Sequence, residues 1–253
     1  MASIAVDDVS KHFISRAHAD RLPVLQNISF TGGNGQFICL LGRSGCGKST
    51  LLALISGLDE EFNGKITFDG VTVAERQNAG VRLGFVFQSP RLLPWKTVRD
   101  NLLFVLRRSG LQDWRERADL WLERVGLKDF AKAYPHELSG GMQQRVSLAR
   151  AFAVDPDILL MDEPFSGLDE FTGRAMRTEL LDLWQQTGKT VLFVTHNCFE
   201  ACFLANRVIV LGGQPGRIVW DAPIDLDHPR DYEDPDLFRL SVKLTHVVME
   251  SAA

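Results

Sequence analysis

Apolar positions in this chain gather in short runs, and these alternate with longer stretches that read as helices. The short runs predict strands at Ile4 to Val9, Val24 to Phe30, Gln36 to Leu41, Gly64 to Gly70 and Leu83 to Phe87. Within the third, Phe37-Ile38-Cys39-Leu40-Leu41 is continuously apolar, as a strand covered on both faces requires. Lys48 to Leu58 follows as a helix. The middle of the chain is rich in helix, and two of its helices carry capping-box spacings, Thr97-x-x-Asp100 and Asp113-x-x-Glu116, the second ending at Gly126. A further helix begins near Ser139 and must end before Asp155-Pro156, because proline restricts the residue ahead of it.

Beyond that point strand and helix alternate: strand Ile158 to Asp162, helix Glu170 to Gln186, strand Thr190 to Thr195, helix Cys198 to Ala205. Val208 to Leu211 and Arg217 to Trp220 form a hairpin across Gly212-Gly213-Gln214-Pro215-Gly216. Such alternation predicts one α/β domain over residues 1–253 with a largely parallel sheet and a helical insertion at about 90–150. After Asp221 the chain shows polar turns and a short final helix, a tail of about 222–253.

Composition narrows the function classes. The chain has 253 residues, with 28 basic against 32 acidic side chains and a formal charge of −4, so nucleic acid is not an expected partner. No apolar run approaches the ~18 residues of a spanning helix, and Asp7 and Asp8 stand where a signal peptide would be apolar. The expected location is cytoplasmic. The four cysteines form no Cys-x-x-Cys pair, and Cys198 and Cys202 read as small, half-buried helix positions rather than a metal site.

The strongest chemistry lies at Gly42-Arg43-Ser44-Gly45-Cys46-Gly47-Lys48-Ser49-Thr50, which fits G-x-x-x-x-G-K-[ST] between a buried strand and a helix. Glycines let consecutive backbone N–H groups turn inward around phosphates, and the helix N-terminus adds partial positive charge. Lys48 is expected to reach the β- and γ-phosphates, and the Ser49 hydroxyl to ligate Mg²⁺. Cys46, beside Lys48 and that helix N-terminus, is expected to favour a reactive thiolate. The strand Ile158 to Asp162 ends in two carboxylates suited to Mg·ATP, Asp162 to hold the metal and Glu163 to accept a proton from water. Gln88 and His196 each follow a strand, where ligands gather in open α/β sheets; His196 is expected to hydrogen-bond the γ-phosphate.

Phosphate loops serve many functions. The segment that discriminates is Leu138-Ser139-Gly140-Gly141-Met142-Gln143-Gln144-Arg145, which resembles the LSGGQ signature of ATP-binding cassette (ABC) proteins with methionine in the fifth place. Ser166-Gly167-Leu168-Asp169 resembles the D-loop of that family, and His196 its switch histidine. With six motifs in order, residues 4–221 resemble an ABC nucleotide-binding domain. The resemblance implies a P-loop NTPase (RecA-like) core, an N-terminal antiparallel β subdomain and an inserted α-helical subdomain. It implies ATP and Mg²⁺ as ligands, with Gln88 among the metal contacts, Phe13 stacked on adenine, and Ser139, Gly140 and Gly141 facing the γ-phosphate of a second copy in a head-to-tail dimer. Asn197 departs from the family's usual aspartate, Gly167 from its usual alanine, and an insertion from Ile14 to Pro23 blurs alignment at Phe13.

Gln88-Ser89-Pro90-Arg91-Leu92-Leu93-Pro94-Trp95-Lys96-Thr97-Val98 is similar to the nitrate/sulfonate/taurine/bicarbonate importer group, as are Tyr134-Pro135-His136-Glu137, Pro164-Phe165 and Pro215-Gly216-Arg217-Ile218. That resemblance implies separate permease subunits, a substrate-binding protein, and a place on the cytoplasmic face of the membrane. Another ABC importer or exporter is the alternative. A DNA-repair ABC ATPase would need coiled-coil arms between Lys48 and Ser139, where only about 90 residues stand. Leu92, Leu93 and Trp95 are expected to form an exposed apolar loop that grips the permease.

Overall fold

The computed structural model describes residues 2–14, 21–76 and 78–251. In chain order the elements are β1 (Ile4–Ile14), β2 (Arg21–Gly32), β3 (Phe37–Leu41), α1 (Lys48–Ser56), β4 (Asn63–Phe68), β5 (Val71–Thr72), β6 (Leu83–Val86), α2 (Val98–Leu106), α3 (Trp114–Arg124), α4 (Gly140–Ala153), β7 (Ile158–Asp162), α5 (Glu170–Thr187), β8 (Thr190–Thr195), α6 (Cys198–Leu204), β9 (Arg207–Gly212), β10 (Arg217–Pro223) and α7 (Pro235–Glu250). They fall into two compact units, residues 1–81 with 190–253, and residues 82–189.

In the first unit β3 pairs in parallel with both β8 and β9, and β10 closes antiparallel on β9. β3 and β8 are buried at every position, which is why the apolar runs there show no alternation. A separate antiparallel sheet runs in the order β2-β1-β4-β5. Its strands alternate instead: Ile28, Phe30 and Gly32 face the core, and the residues between them face solvent.

In the second unit β6 and β7 pair in parallel, while α2, α3 and α4 pack on one another as the expected helical insertion. The observed class is the expected one, α/β with mainly parallel core strands. Among the described residues no helix is long and apolar enough to cross a membrane.

Four local expectations change. β1 runs to Ile14 and pairs with β2 as far as Ile14↔Arg21, so the ends of the Ile14-to-Pro23 segment are strand rather than insertion; residues 15–20 lie outside the described ones. Asp113 does not cap α3: its backbone sits at φ −91°, ψ 28° rather than in the extended region, and its carboxylate lies 3.9 Å from Arg117 instead. Thr97 does cap α2, but the Asp100 carboxylate accepts from the Thr97 hydroxyl. Finally, α7 is a helix of 16 residues, started by Asp234 as cap and Pro235 in the first turn, so the final helix is not short.

Candidate functional site

The phosphate loop is built by close packing around its glycines. A Cβ on Gly42 would stand 2.4 Å from the Leu211 carbonyl oxygen, and one on Gly47 would stand 2.6 Å from Leu25 Cδ2. Gly45 and Gly47 also adopt φ of 86° and 98°, a region that L side chains avoid. Lys48 is buried and donates from Nζ to the carbonyls of Gly42 (2.8 Å) and Arg43 (3.0 Å), which centres the ammonium within the loop. The first turn of α1 carries neither a side-chain cap nor an acidic residue. Its N–H groups and the lysine therefore offer an anion the ligands it needs.

Cys46 corrects an expectation. It is 5% exposed, and its sulfur lies 2.8 Å from where a Cβ on Gly42 would be. The thiol packs inside the loop, so the exposure that reactivity needs is lacking. Phe13, at the end of β1, is exposed, with Lys11 Nζ 4.8 Å from its ring centroid. Lys11 is buried and ion-paired to Asp59 at 2.9 Å, which fixes the ring from behind. His196 is exposed between β8 and α6, and Asn197 caps α6 by accepting from Glu200 N at 3.1 Å, as expected of asparagine.

In the second unit β7 delivers Asp162 half-buried at its end. Glu163 follows at φ 43°, a left-handed conformation of the kind that functional sites tolerate. Its carbonyl accepts from Ser166 N (3.2 Å) and Ser166 Oγ (3.0 Å). Gln88 Nε2 donates to that same Oγ at 3.1 Å. A chain of three polar residues thus connects the end of β6 to the backbone of Glu163. Asp169 caps α5, and the Thr172 N–H it accepts holds its carboxyl below the usual range.

Ser139 caps α4 by accepting from Met142 N at 3.3 Å. Gln143 Nε2 donates back to the carbonyl of Pro135 at 2.9 Å, tying the preceding turn to the helix. That first turn, like that of α1, holds no acidic residue. Such an end suits an anion.

The family described as ABC transporter matches residues 25–166. The aliphatic sulfonates import ATP-binding protein of Bacillus cereus is 42% identical over 230 residues, 90% of this chain and 88% of that protein. This chain belongs to the ABC transporter family. The taurine import ATP-binding protein of Rhizobium johnstonii is 44% identical over 233 residues, 91% of this chain and 87% of that protein. Among solved structures, a dimeric ATP-binding cassette in a post-hydrolysis state bound to ADP and Pi aligns with a TM-score of 0.76 at 31% identity, over 88% of this chain and 100% of that one. The chain is an ABC-type ATPase, and ATP is its nucleotide.

Within this ABC fold the two signature glycines have different reasons to exist. A Cβ on Gly141 would meet Thr172 Cγ2 at 2.8 Å, whereas one on Gly140 would meet nothing within 4 Å among the described residues. Gly141→Ala is therefore expected to lower stability by about 1–2 kcal/mol in urea denaturation. Gly140→Ala should leave stability unchanged or slightly raised, since alanine lowers the backbone entropy cost by ~0.5–1 kcal/mol. Equal losses from both would contradict this packing.

The stretch after Gln88 lies over an ABC-fold cavity of about 370 Å³ lined by Phe85, Phe87, Leu93, Phe104 and Val105. Arg91, at φ 46°, places its guanidinium 4.0 Å from the centroid of the Phe87 ring. Arg150 holds the loop by donating to the carbonyls of Pro90 (2.7 Å) and Arg91 (2.9 Å). Trp95 is 71% exposed, while Leu92 and Leu93 are half-buried and Leu93 N donates to Asn101. Of the three expected apolar contacts, the tryptophan alone projects fully.

Sequence reasoning missed the supports of the phosphate loop. A Cβ on Gly216 would stand 2.1 Å from the Cys46 carbonyl oxygen, and Gly216 N donates to Val24 O at 2.9 Å. Pro215-Gly216-Arg217 was readable as a motif, but its packing beneath the loop joins segments far apart in sequence.

Proposed function

We propose that this chain is the ATP-hydrolysing subunit of an ABC importer for a small organic anion such as a sulfonate or taurine. The observation that carries the reading is the likeness to sulfonate and taurine import ATP-binding proteins along nearly the whole of both chains. The two compact units are read as parts of one nucleotide-binding domain.

In this reading the loop N–H groups and Lys48 bind the β- and γ-phosphates, and Phe13 stacks on adenine. Glu163 accepts a proton from the attacking water, and His196 donates a hydrogen bond to the γ-phosphate. The oxygen donors Ser49, Asp162 and Gln88 suit Mg²⁺, a hard cation held by few protein groups together with substrate phosphates. Bound there, the ion would neutralise charge on the phosphates. Ser139, Gly140 and Gly141 serve a second copy's nucleotide in a head-to-tail dimer. The unobstructed Gly140 and the acid-free start of α4 support that role, since a second helix end recognises the phosphate lost on hydrolysis. The dimer works at the cytoplasmic face beneath separate permease subunits, supplied by a substrate-binding protein.

Residues 88–98 are the grip on the permease. A projecting tryptophan in the loop whose Leu93 lines a largely apolar cavity suits an amphipathic helix of the partner. In vesicles holding this subunit, its permease and the binding protein, ATP should drive accumulation of taurine or an alkanesulfonate. Trp95→Ala should keep hydrolysis by the isolated subunit within about twofold while uptake and co-purification fall at least about tenfold, as expected for an interface anchor. Hydrolysis with no uptake of either solute by the unmodified complex would remove the cargo assignment. Lost folding with unchanged permease association in Trp95→Ala would make the loop a core element.

A further inference from the structure

Among the described residues, the phosphate, metal and base roles leave one buried carboxylate unused. Glu200, in the first turn of α6, is 5% exposed, and Thr195, the last residue of β8, is 2% exposed. Thr195 Oγ1 donates to Glu200 Oε2 at 2.5 Å. A hydroxyl has one proton, so once that proton is committed to the carboxylate its lone pairs face outward. One of them accepts from Asn197 N at 3.0 Å. The Asn197 side chain in turn accepts from Glu200 N at 3.1 Å, and the Asn197 backbone carbonyl accepts from Ala201 N at 3.1 Å.

His196 thus stands exposed between two residues that are each tied to Glu200. Thr195 is tied through its hydroxyl, and Asn197 through the backbone N–H of Glu200. Burying a carboxylate costs several kcal/mol unless hydrogen bonds offset it, so a position that served packing alone would favour an apolar side chain. Apolar side chains do occupy the surroundings: Ala201, Cys202 and Phe203 of α6 are buried. Burial first, and the Glu200 carboxylate second, push the Cys39 thiol well above its ordinary value. The helix that carries Glu200 packs on β3, the strand that leads into the phosphate loop.

We propose that Glu200 and Thr195 form a buried brace that sets the backbone of His196 and so aims its imidazole, making both of them positioning residues for ATP hydrolysis. The proposal rests on the reading of His196 as the γ-phosphate contact. Its mechanism is geometric: the Asn197 N–H held on the Thr195 hydroxyl fixes the peptide plane that follows His196, and the Thr195–Glu200 bond holds that hydroxyl in place. Small misplacements of a group that binds the reacting phosphate are costly in rate, by up to about 10²-fold.

The experiment is a set of double-mutant cycles on ATP turnover by the full chain, with residual rates measured over hours using radiolabelled ATP. Thr195→Val is expected to lower kcat about 10- to 100-fold with KM for ATP changed less than about twofold, and Thr195→Ser to recover most of the loss. Glu200→Gln, which keeps an acceptor but adds a competing donor, should fall between them. In a His196→Ala background neither Thr195→Val nor Glu200→Gln should lower the residual rate further, because the group they aim is gone. Should Thr195→Val fail to fold, the Glu200→Gln pair completes a cycle alone. Equal losses in both backgrounds would make the brace a general support of the fold and overturn the proposal. So would unmodified kcat in the single variants beside an impaired His196→Ala. If His196→Ala itself turns over normally, the reading of His196 fails first and takes the brace with it.

Discussion

Glu163→Gln is expected to keep ATP binding and to lose turnover by about 10²–10⁴-fold, the usual contribution of a positioned general base. Glutamine preserves the length and shape of the side chain but cannot accept the proton of the attacking water. The local frame should survive the change. The left-handed backbone at Glu163 is held through its carbonyl by Ser166 N and Oγ, and Ser166 by Gln88, all without the carboxylate. Since binding is kept and hydrolysis is lost, the variant should accumulate as an ATP-bound dimer in size-exclusion chromatography, whereas the unmodified protein should be mostly monomeric after turnover. Near-normal hydrolysis by this variant would remove Glu163 from the role of base.

Gly47→Ala should have the largest combined effect on binding and stability. Alanine at φ 98° is strained, and its Cβ would lie 2.6 Å from Leu25 Cδ2 and 3.2 Å from the Val24 carbonyl oxygen. Strain and overpacking together should lower stability by about 2–4 kcal/mol. Relieving the strain and the contact with the Val24 carbonyl turns the N–H groups that precede α1, so nucleotide affinity should fall by at least about 100-fold, or ~2.7 kcal/mol. Gly45→Ala is the internal control, because its Cβ would meet only Gln214 Nε2, at 3.8 Å, and the backbone strain remains without the collision. Urea denaturation and titration with a fluorescent ATP analogue would report both effects. A Gly47→Ala protein as stable and as tight-binding as the unmodified one would contradict the described packing.

Elements whose signal is local were readable from sequence, and those that depend on distant partners were not. The unbroken apolar run of β3 and the caps Thr97, Ser139 and Asn197 needed only neighbouring residues to be read. β1 extends past Val9 because β2 and β4 pair along it with register shifts, which let polar residues such as Ser10 and Lys11 stay in the strand. Hydropathy alone therefore stops the strand too early. The cap at Asp113 failed because a suitable residue type lacks the backbone angle that capping requires. In the tail, Leu237, Ser241 and Leu244 are the buried positions of α7, at three- and four-residue spacing, and the polar turns ahead of them hid that pattern.

The site divides in the same way. Side-chain chemistry and motif order name Lys48, Asp162, Glu163 and Ser139. Gly216 and Glu200 act through contacts with Cys46 and Thr195 that no motif announces, although a glutamate within the apolar stretch Cys198 to Leu204 is itself an unusual residue. The burial of Cys46 was hidden for the opposite reason: its neighbours Lys48 and the helix end suggest reactivity, but accessibility is set by the packing of Gly42.

The central claim is that hydrolysis needs the phosphate loop of one copy and the signature of another. Two altered proteins test it directly: Lys48→Ala, which removes the ammonium assigned to the phosphates, and Ser139→Arg, which places a bulky cation at the start of the signature helix. Each alone should hydrolyse ATP at no more than about 1% of the unmodified rate, the scale of losing a group that stabilises transition-state charge. In an equimolar mixture, random pairing puts about half the dimers in the mixed form, and a head-to-tail arrangement gives each of these one intact site of two. The account therefore expects the mixture to recover about a quarter of the unmodified rate, rising with protein concentration. A mixture no more active than its two components would show that loop and signature serve ATP within a single copy, and would contradict the account.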